Sequence, residues 1–175
     1  MQSKKLVIDA SVARASGPPE STHPTGQQCR ECLETVRTAG HQMVMTPEIK
    51  AEWDSHQSGF ARKWRVRMVG GKKVVSLKAV SYEEVASQFE GVVASPKEHQ
   101  AMKKDWPLVG AALTADKTII SLDEAVRRLF KKSASTVQAL RRLVWVNPTI
   151  PEEEAIKWLK HGAKPERPRM LAAGP

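Results

Sequence analysis

Four short, uninterrupted apolar runs punctuate the chain: Leu6-Val7-Ile8, Met43-Val44-Met45, Ile119-Ile120 within Thr118 to Ser121, and Leu143-Val144-Trp145-Val146. Each is too short for a buried helix. None alternates apolar with polar residues, as a half-exposed strand does. Strands that are apolar on both sides are buried on both faces, the situation of a parallel sheet covered by helices. The segments between the runs carry the complementary signal. Thr46-Pro47 places an N-cap residue before a first-turn proline and starts a helix from Pro47 to about His56. Gln27 to Ala39 is helical by pattern, with Cys29, Cys32, Leu33 and Val36 on one side and Gly40 as a stop. Strands alternating with helices predict an α/β fold with a central parallel sheet and helices on both faces.

Further helices are predicted from Ser11 to Ala15, over Phe60 to Val69, and from Ala125 to about Ser133. Ser81 with Glu84 three residues on forms a capping box, predicting a helix to about Val93. Ser95-Pro96 starts another, and Asp105-Trp106-Pro107 opens a separate one through Leu113. Val74 to Leu77 is either a short strand extension or part of an irregular segment. Gly17-Pro18-Pro19 breaks the chain before a loop that runs to Gly26. Pro151 to Leu159 reads as a last short helix. Ala163 to Pro175, rich in proline, glycine and basic residues, reads as a flexible tail. The expected organisation is one domain over residues 1–150, followed by a short helix and basic tail over 151–175. No internal repeat is present.

At 175 residues the chain has room for one sizeable core. Its formal net charge of +9 attracts polyanions, and nucleic acid is a natural partner. Cys29 and Cys32 are spaced C-x-x-C, but no second ligand pair accompanies them, so buried thiols are expected rather than a zinc site. No run approaches the ~18 apolar residues of a membrane span. The N-terminus reaches Asp9 without a secretory pattern, so a cytoplasmic protein is expected.

Acids fall where such a fold binds ligands. In open parallel sheets that place is beyond the carboxyl ends of the strands. Asp9 ends the first run, Asp123 follows the third, and Glu48 and Glu52 lie in the helix after the second. Asp105 precedes the third run and is not placed at that edge by this reasoning alone. Asp9 and Asp105 also suit helix N-caps. Clustered carboxylates repel one another unless a cation compensates, and hard oxygen donors suit Mg²⁺ or Mn²⁺.

These residues also form a familiar series. Leu6 to Ala13, with Asp9 followed by Ala10 and Ser11, resembles the opening of PIN-domain nucleases. Thr46 to Trp53 is similar to the family's second motif, Asp105 with Leu108 to Leu113 to its third, and Ile119-Ile120-Ser121-Leu122-Asp123 to its fourth. The resemblance covers roughly Lys5 to Pro148, with 59–104 loosely matched. It implies a three-layer α/β/α sandwich and Mg²⁺- or Mn²⁺-dependent cleavage of RNA. Asp9, Glu52, Asp105 and Asp123 are then the metal-binding and catalytic acids, with Glu48 as the alternative to Glu52. Ser11 and Ser121 orient an aspartate or a metal-bound water. The resemblance extends to toxins of toxin–antitoxin pairs, which would add an antitoxin protein to RNA as a partner; a homodimer is compatible with it.

Two other functions fit the same residues: a non-catalytic RNA-binding module, and a housekeeping RNA-processing or decay nuclease. A phosphatase-like hydrolase using Asp9 as nucleophile wants a second aspartate two residues on, where Ser11 stands. Arg62, Lys63, Arg65 and Arg67, with Trp64 among them, form either a phosphate-tracking face with a stacking ring or a solvated helix face. Arg127 and Arg128 carry the same pair of readings.

Overall fold

The computed structural model describes residues 3–90 and 95–172. Among these residues, five parallel strands form one sheet: β1 (Lys5–Ile8), β2 (Gln42–Met45), β3 (Val74–Ser76), β4 (Thr118–Ile120) and β5 (Val144–Val146), in the order β3-β2-β1-β4-β5. The four apolar runs are β1, β2, β4 and β5. The segment Val74 to Leu77 supplies the edge strand, pairing Met43 with Val74 and Met45 with Ser76. Leu6, Val7, Ile8, Ile119, Ile120, Trp145 and Val146 are wholly buried, as expected for strands covered on both faces.

Among the described residues, seven α-helices flank the sheet: α1 (Ala10–Ala15), α2 (Pro24–Thr38), α3 (Pro47–His56), α4 (Gly59–Gly70), α5 (Pro96–Leu113), α6 (Glu124–Ala134) and α7 (Ala155–Lys160). The chain steps from β1 outward to β2 and β3, then returns across β1 to β4 and β5. Right-handed crossovers therefore put α1 to α4 on one face and α5 and α6 on the other. The packing agrees: α1 lies against α2, α3 and α4, whereas α5 lies against α6, β1 and β4. This is the three-layer α/β/α sandwich. Its switch point falls between β1 and β4, which leave the sheet's centre in opposite directions.

Several local expectations change. Asp105-Trp106-Pro107 does not open a helix, because α5 runs unbroken from Pro96 through Pro107 to Leu113. Its N-cap is Ser95, whose side chain accepts from the Glu98 N–H. A proline inside a helix costs roughly 3 kcal/mol. Burial of Met102, Trp106 and Val109 along one face offsets that cost, and Trp106 Nε1 also donates to the Val80 carbonyl at 2.7 Å. Gly110 is needed there, since a Cβ at this position would stand 2.6 Å from the Val80 oxygen. At Ser81 half of the capping box forms, with Glu84 N–H donating to Ser81 Oγ at 3.4 Å and the Ser81 hydroxyl donating to the Glu84 carboxylate at 3.2 Å. Turns and a short 3-10 segment, Ala86–Phe89, whose own N-cap is Val85 without a side-chain hydrogen bond, follow it in place of a long helix. Tyr82 and Phe89 are drawn instead onto Trp106, with ring centroids 5.8 and 5.7 Å from it. The end of that predicted helix, 91–94, lies outside the described residues.

The predicted helix from Pro151 breaks at Glu154, which is left-handed at φ +38°, into a 3-10 turn and α7. The segment beyond it is not a loose tail up to Ala172. Leu171 is 2% exposed and its N–H donates to the Leu143 carbonyl at 2.9 Å. Met170 bridges antiparallel to Val144, and the Arg169 guanidinium lies 5.3 Å from the Trp158 ring centre. Proline-rich composition suggested disorder, but Leu171 and Met170 supply enough apolar surface to close the β5 edge. Residues 173–175 lie outside the described set. Leu171→Ala is expected to cost ~2–5 kcal/mol in urea denaturation, the range for a buried leucine. A change within ~0.5 kcal/mol would mean that the segment is not docked in solution.

Candidate active site

The C-terminal ends of β1, β2 and β4 open into a cleft of about 480 Å³. Asp9, Glu48, Glu52, Asp105 and Asp123 all line it. The three aspartates and both glutamates predicted from sequence thus meet in one place. Asp105 reaches the cleft from the middle of α5, so its position depends on that helix being continuous.

Asp9 follows β1 directly, and its backbone N–H is held by the Ile120 carbonyl at 2.9 Å. It stands at the N-terminus of α1 but makes no side-chain cap. Its Oδ2 accepts two hydroxyl hydrogen bonds, from Ser11 at 2.5 Å and Ser121 at 2.7 Å. Each serine makes a second link. Ser11 Oγ accepts from the Leu122 N–H at 3.2 Å, and Ser121 Oγ accepts from the Asp123 N–H at 3.0 Å. The loops after β1 and β4 are therefore joined through one carboxylate oxygen. Asp123 uses Oδ1 to cap α6, accepting from the Val126 N–H at 2.9 Å. Both aspartates are oriented through one oxygen by protein groups.

The acids sense one another. The Asp105 carboxyl is pushed above the ordinary aspartate value, first by partial burial and then by the negative charge of Asp123, with Asp9 and Glu52 adding to it and Lys104 opposing. Such a group binds its proton more tightly folded than unfolded. Its contribution to stability is therefore most favourable in acid and is lost as pH rises from the unfolded value through the raised folded one. In EDTA at pH 7, Asp105→Asn is expected to melt at a higher temperature than wild type. The two should converge below the unfolded carboxylate pKa of ~3.9. A lower melting temperature for the variant at pH 7 would show that Asp105 is not under repulsion.

The donor set is oxygen-only, carboxylates with a serine hydroxyl, which suits Mg²⁺ or Mn²⁺ better than zinc. Among the described residues, no three His, Cys, Asp or Glu side chains form a group that could hold one ion as they stand. Mg²⁺ does not require such a cage, because it keeps several waters and binds through one or two carboxylates. By donor chemistry the residues fit a hydrated hard cation.

Glu48 and Glu52 both reach the cleft. Glu52 lies 3.5 Å from His56 Nε2, one helical turn on, and its charge is felt at Asp105. Glu124, next to Asp123, is turned aside onto Arg127 and Asn147. Two cationic side chains and a histidine that the sequence did not single out line the cleft: Arg14, Lys104 and His56. Arg14 sits one turn after Ala10, and Lys104 directly precedes Asp105. Adjacency to the acid motifs was the available signal.

The basic residues singled out from sequence do not line this cleft. Arg65 pairs with Asp54 at 2.6 Å, Arg67 with Glu34 at 2.9 Å, and Arg127 with Glu153 at 2.5 Å. Arg62, Lys63 and Arg128 are exposed. Trp64 is not a stacking platform: it is wholly buried, and its Nε1 donates to the Leu33 carbonyl at 2.7 Å. Cys29 and Cys32 are free, buried thiols. Burial raises the Cys29 pKa to about 11 and that of Cys32 still further, so both are unreactive. No helix among the described residues is long and apolar enough to cross a membrane. Compared with known proteins, the sequence matches no family model and no curated protein.

Proposed function

We propose that this protein is a divalent-metal-dependent nuclease of the PIN-domain type that hydrolyses RNA phosphodiesters. The observation that carries the reading is the convergence of Asp9, Glu52, Asp105 and Asp123 on one cleft at the sheet's switch point, with Asp9 clamped by Ser11 and Ser121. The Asp105 carboxyl, raised first by burial and then by the charge of Asp123, is the kind of perturbed acid that functional clefts hold.

Asp9 and Asp123, each with one oxygen already fixed by the protein, together with Asp105 and Glu52, are the residues that would hold Mg²⁺ or Mn²⁺; Glu48 is the alternative to Glu52. The ion would supply an activated water and charge stabilisation at the phosphoryl group. Ser11 and Ser121 keep Asp9 from turning away. Glu52, largely exposed on α3, and Asp105, on α5, line the same cleft.

The test is hydrolysis of a labelled RNA by purified protein in Mn²⁺ or Mg²⁺, with EDTA as the control. Cleavage that survives EDTA, or none with either metal, counts against the proposal. A non-catalytic module on the same fold would bind the RNA without cutting it.

A further inference from the structure

Lysine and arginine side chains near carboxylates in this molecule generally pair with them. Lys50 and Arg65 share Asp54, Arg37 and Arg67 share Glu34, and Arg127 takes Glu153. Arg14 and Lys104 are different. Both line the cleft beside five carboxylates, both are exposed, and neither side chain has a hydrogen bond or ion pair with another described residue. Cations that stand beside acids without neutralising them are left available to a ligand carrying its own negative charge.

Their placement gives that ligand a direction. Arg14 is on α1 and Lys104 on α5, in the two opposite helical layers. The acids of β1 and β4 lie between those layers. We propose that Arg14 and Lys104 grip the phosphodiester backbone of a single nucleic-acid strand on either side of Asp9 and Asp123. The strand then crosses the top of the sheet from the α1 layer to the α5 layer. This rests on the nuclease reading for its substrate class. It moves the phosphate contacts from the α4 face, where Arg65 and Arg67 are already paired, to the rim of the cleft.

Each backbone contact releases counterions, so binding weakens with salt at a slope set by the number of contacts. The experiment measures affinity for a fluorescent single-stranded RNA in EDTA across a range of NaCl concentrations. Arg14→Ala and Lys104→Ala are each expected to flatten the log–log slope by ~0.7, and the double variant by ~1.4, the single-strand value per contact. Arg14→Lys and Lys104→Arg should keep the wild-type slope, and so should Arg62→Ala with Lys63→Ala. Wild-type slopes in the Arg14 and Lys104 alanine variants, or no salt-dependent binding by wild type, would overturn the proposal. If those slopes fall as expected but wild type cleaves nothing in Mn²⁺ or Mg²⁺, the nuclease reading fails and the strand path survives. If wild type cleaves and the slopes do not move, the path alone fails.

Discussion

Asp9→Asn is expected to lower metal-dependent RNA cleavage by more than ~100-fold while leaving the fold intact. Removing a group that merely orients a metal ligand typically costs 10–100-fold. Asp9 is proposed as the ligand itself and is the acid with the most elaborate support. Asparagine keeps its shape and retains an oxygen to accept from Ser11 or Ser121, which now both donate to Oδ2 at 2.5 and 2.7 Å. What it removes is the charge. The far-UV circular dichroism spectrum should therefore match wild type, and the loss should appear in turnover. Equal cleavage by the two proteins in Mn²⁺ would eliminate the proposed mechanism. A variant that fails to fold would instead show that the serine clamp needs a full carboxylate, and Ser121→Ala then separates the two effects by weakening the clamp without removing the charge.

Trp53→Ala is expected to destabilise the protein by ~3–5 kcal/mol, the range for truncating a buried aromatic. Trp53 is wholly buried and follows Glu52 in α3. Its ring stacks on Trp64 at 6.0 Å, and its Nε1 donates to the Ile8 carbonyl at 2.8 Å. That carbonyl belongs to the residue before Asp9. One side chain thus ties the helix carrying Glu48 and Glu52 to the end of the strand carrying Asp9. Trp53→Phe isolates the hydrogen bond, because it keeps most of the apolar volume and leaves the Ile8 oxygen without its partner. Its expected cost is ~1–3 kcal/mol. Urea midpoints for the two variants measure both terms. A phenylalanine variant as stable as wild type would mean that the indole N–H contributes nothing to holding β1 at the cleft.

Much of this arrangement was legible in the chain. Four apolar runs with no alternation announced strands buried on both faces, and all four became strands of a parallel sheet. Thr46-Pro47 set the start of α3, and the Thr46 hydroxyl accepts from the Ile49 N–H at 3.3 Å. The acids at strand ends were readable for the same reason, since a parallel sheet delivers all its carboxyl ends to one edge. Where local signals misled, a tertiary contact had outweighed them. Pro107 marked a helix start by composition, yet Trp106 and Val109 bury enough surface to carry α5 through it. Ser81 accepts from the Glu84 N–H without starting a helix, and Tyr82 and Phe89 went to Trp106. The prolines after Ala163 suggested a loose tail, and Leu171 docked it on β5.

By itself the sequence determined four of the five strands, their alternation with helices and the positions of Asp9, Glu48, Glu52 and Asp123 along the chain. It also listed the cations without sorting them. Tertiary structure decided which charges are spent: Arg65, Arg67 and Arg127 on intramolecular pairs, Arg14 and Lys104 on none among the described residues. It alone brought Asp105 to the cleft, through a helix continued past a proline, and joined Ser11 to Ser121 through one oxygen of Asp9. Local propensities act over a few residues, whereas a charged group's partners are set by which segments the packed core makes neighbours. The pairing between residues 9 and 121 exists only once β1 and β4 lie side by side.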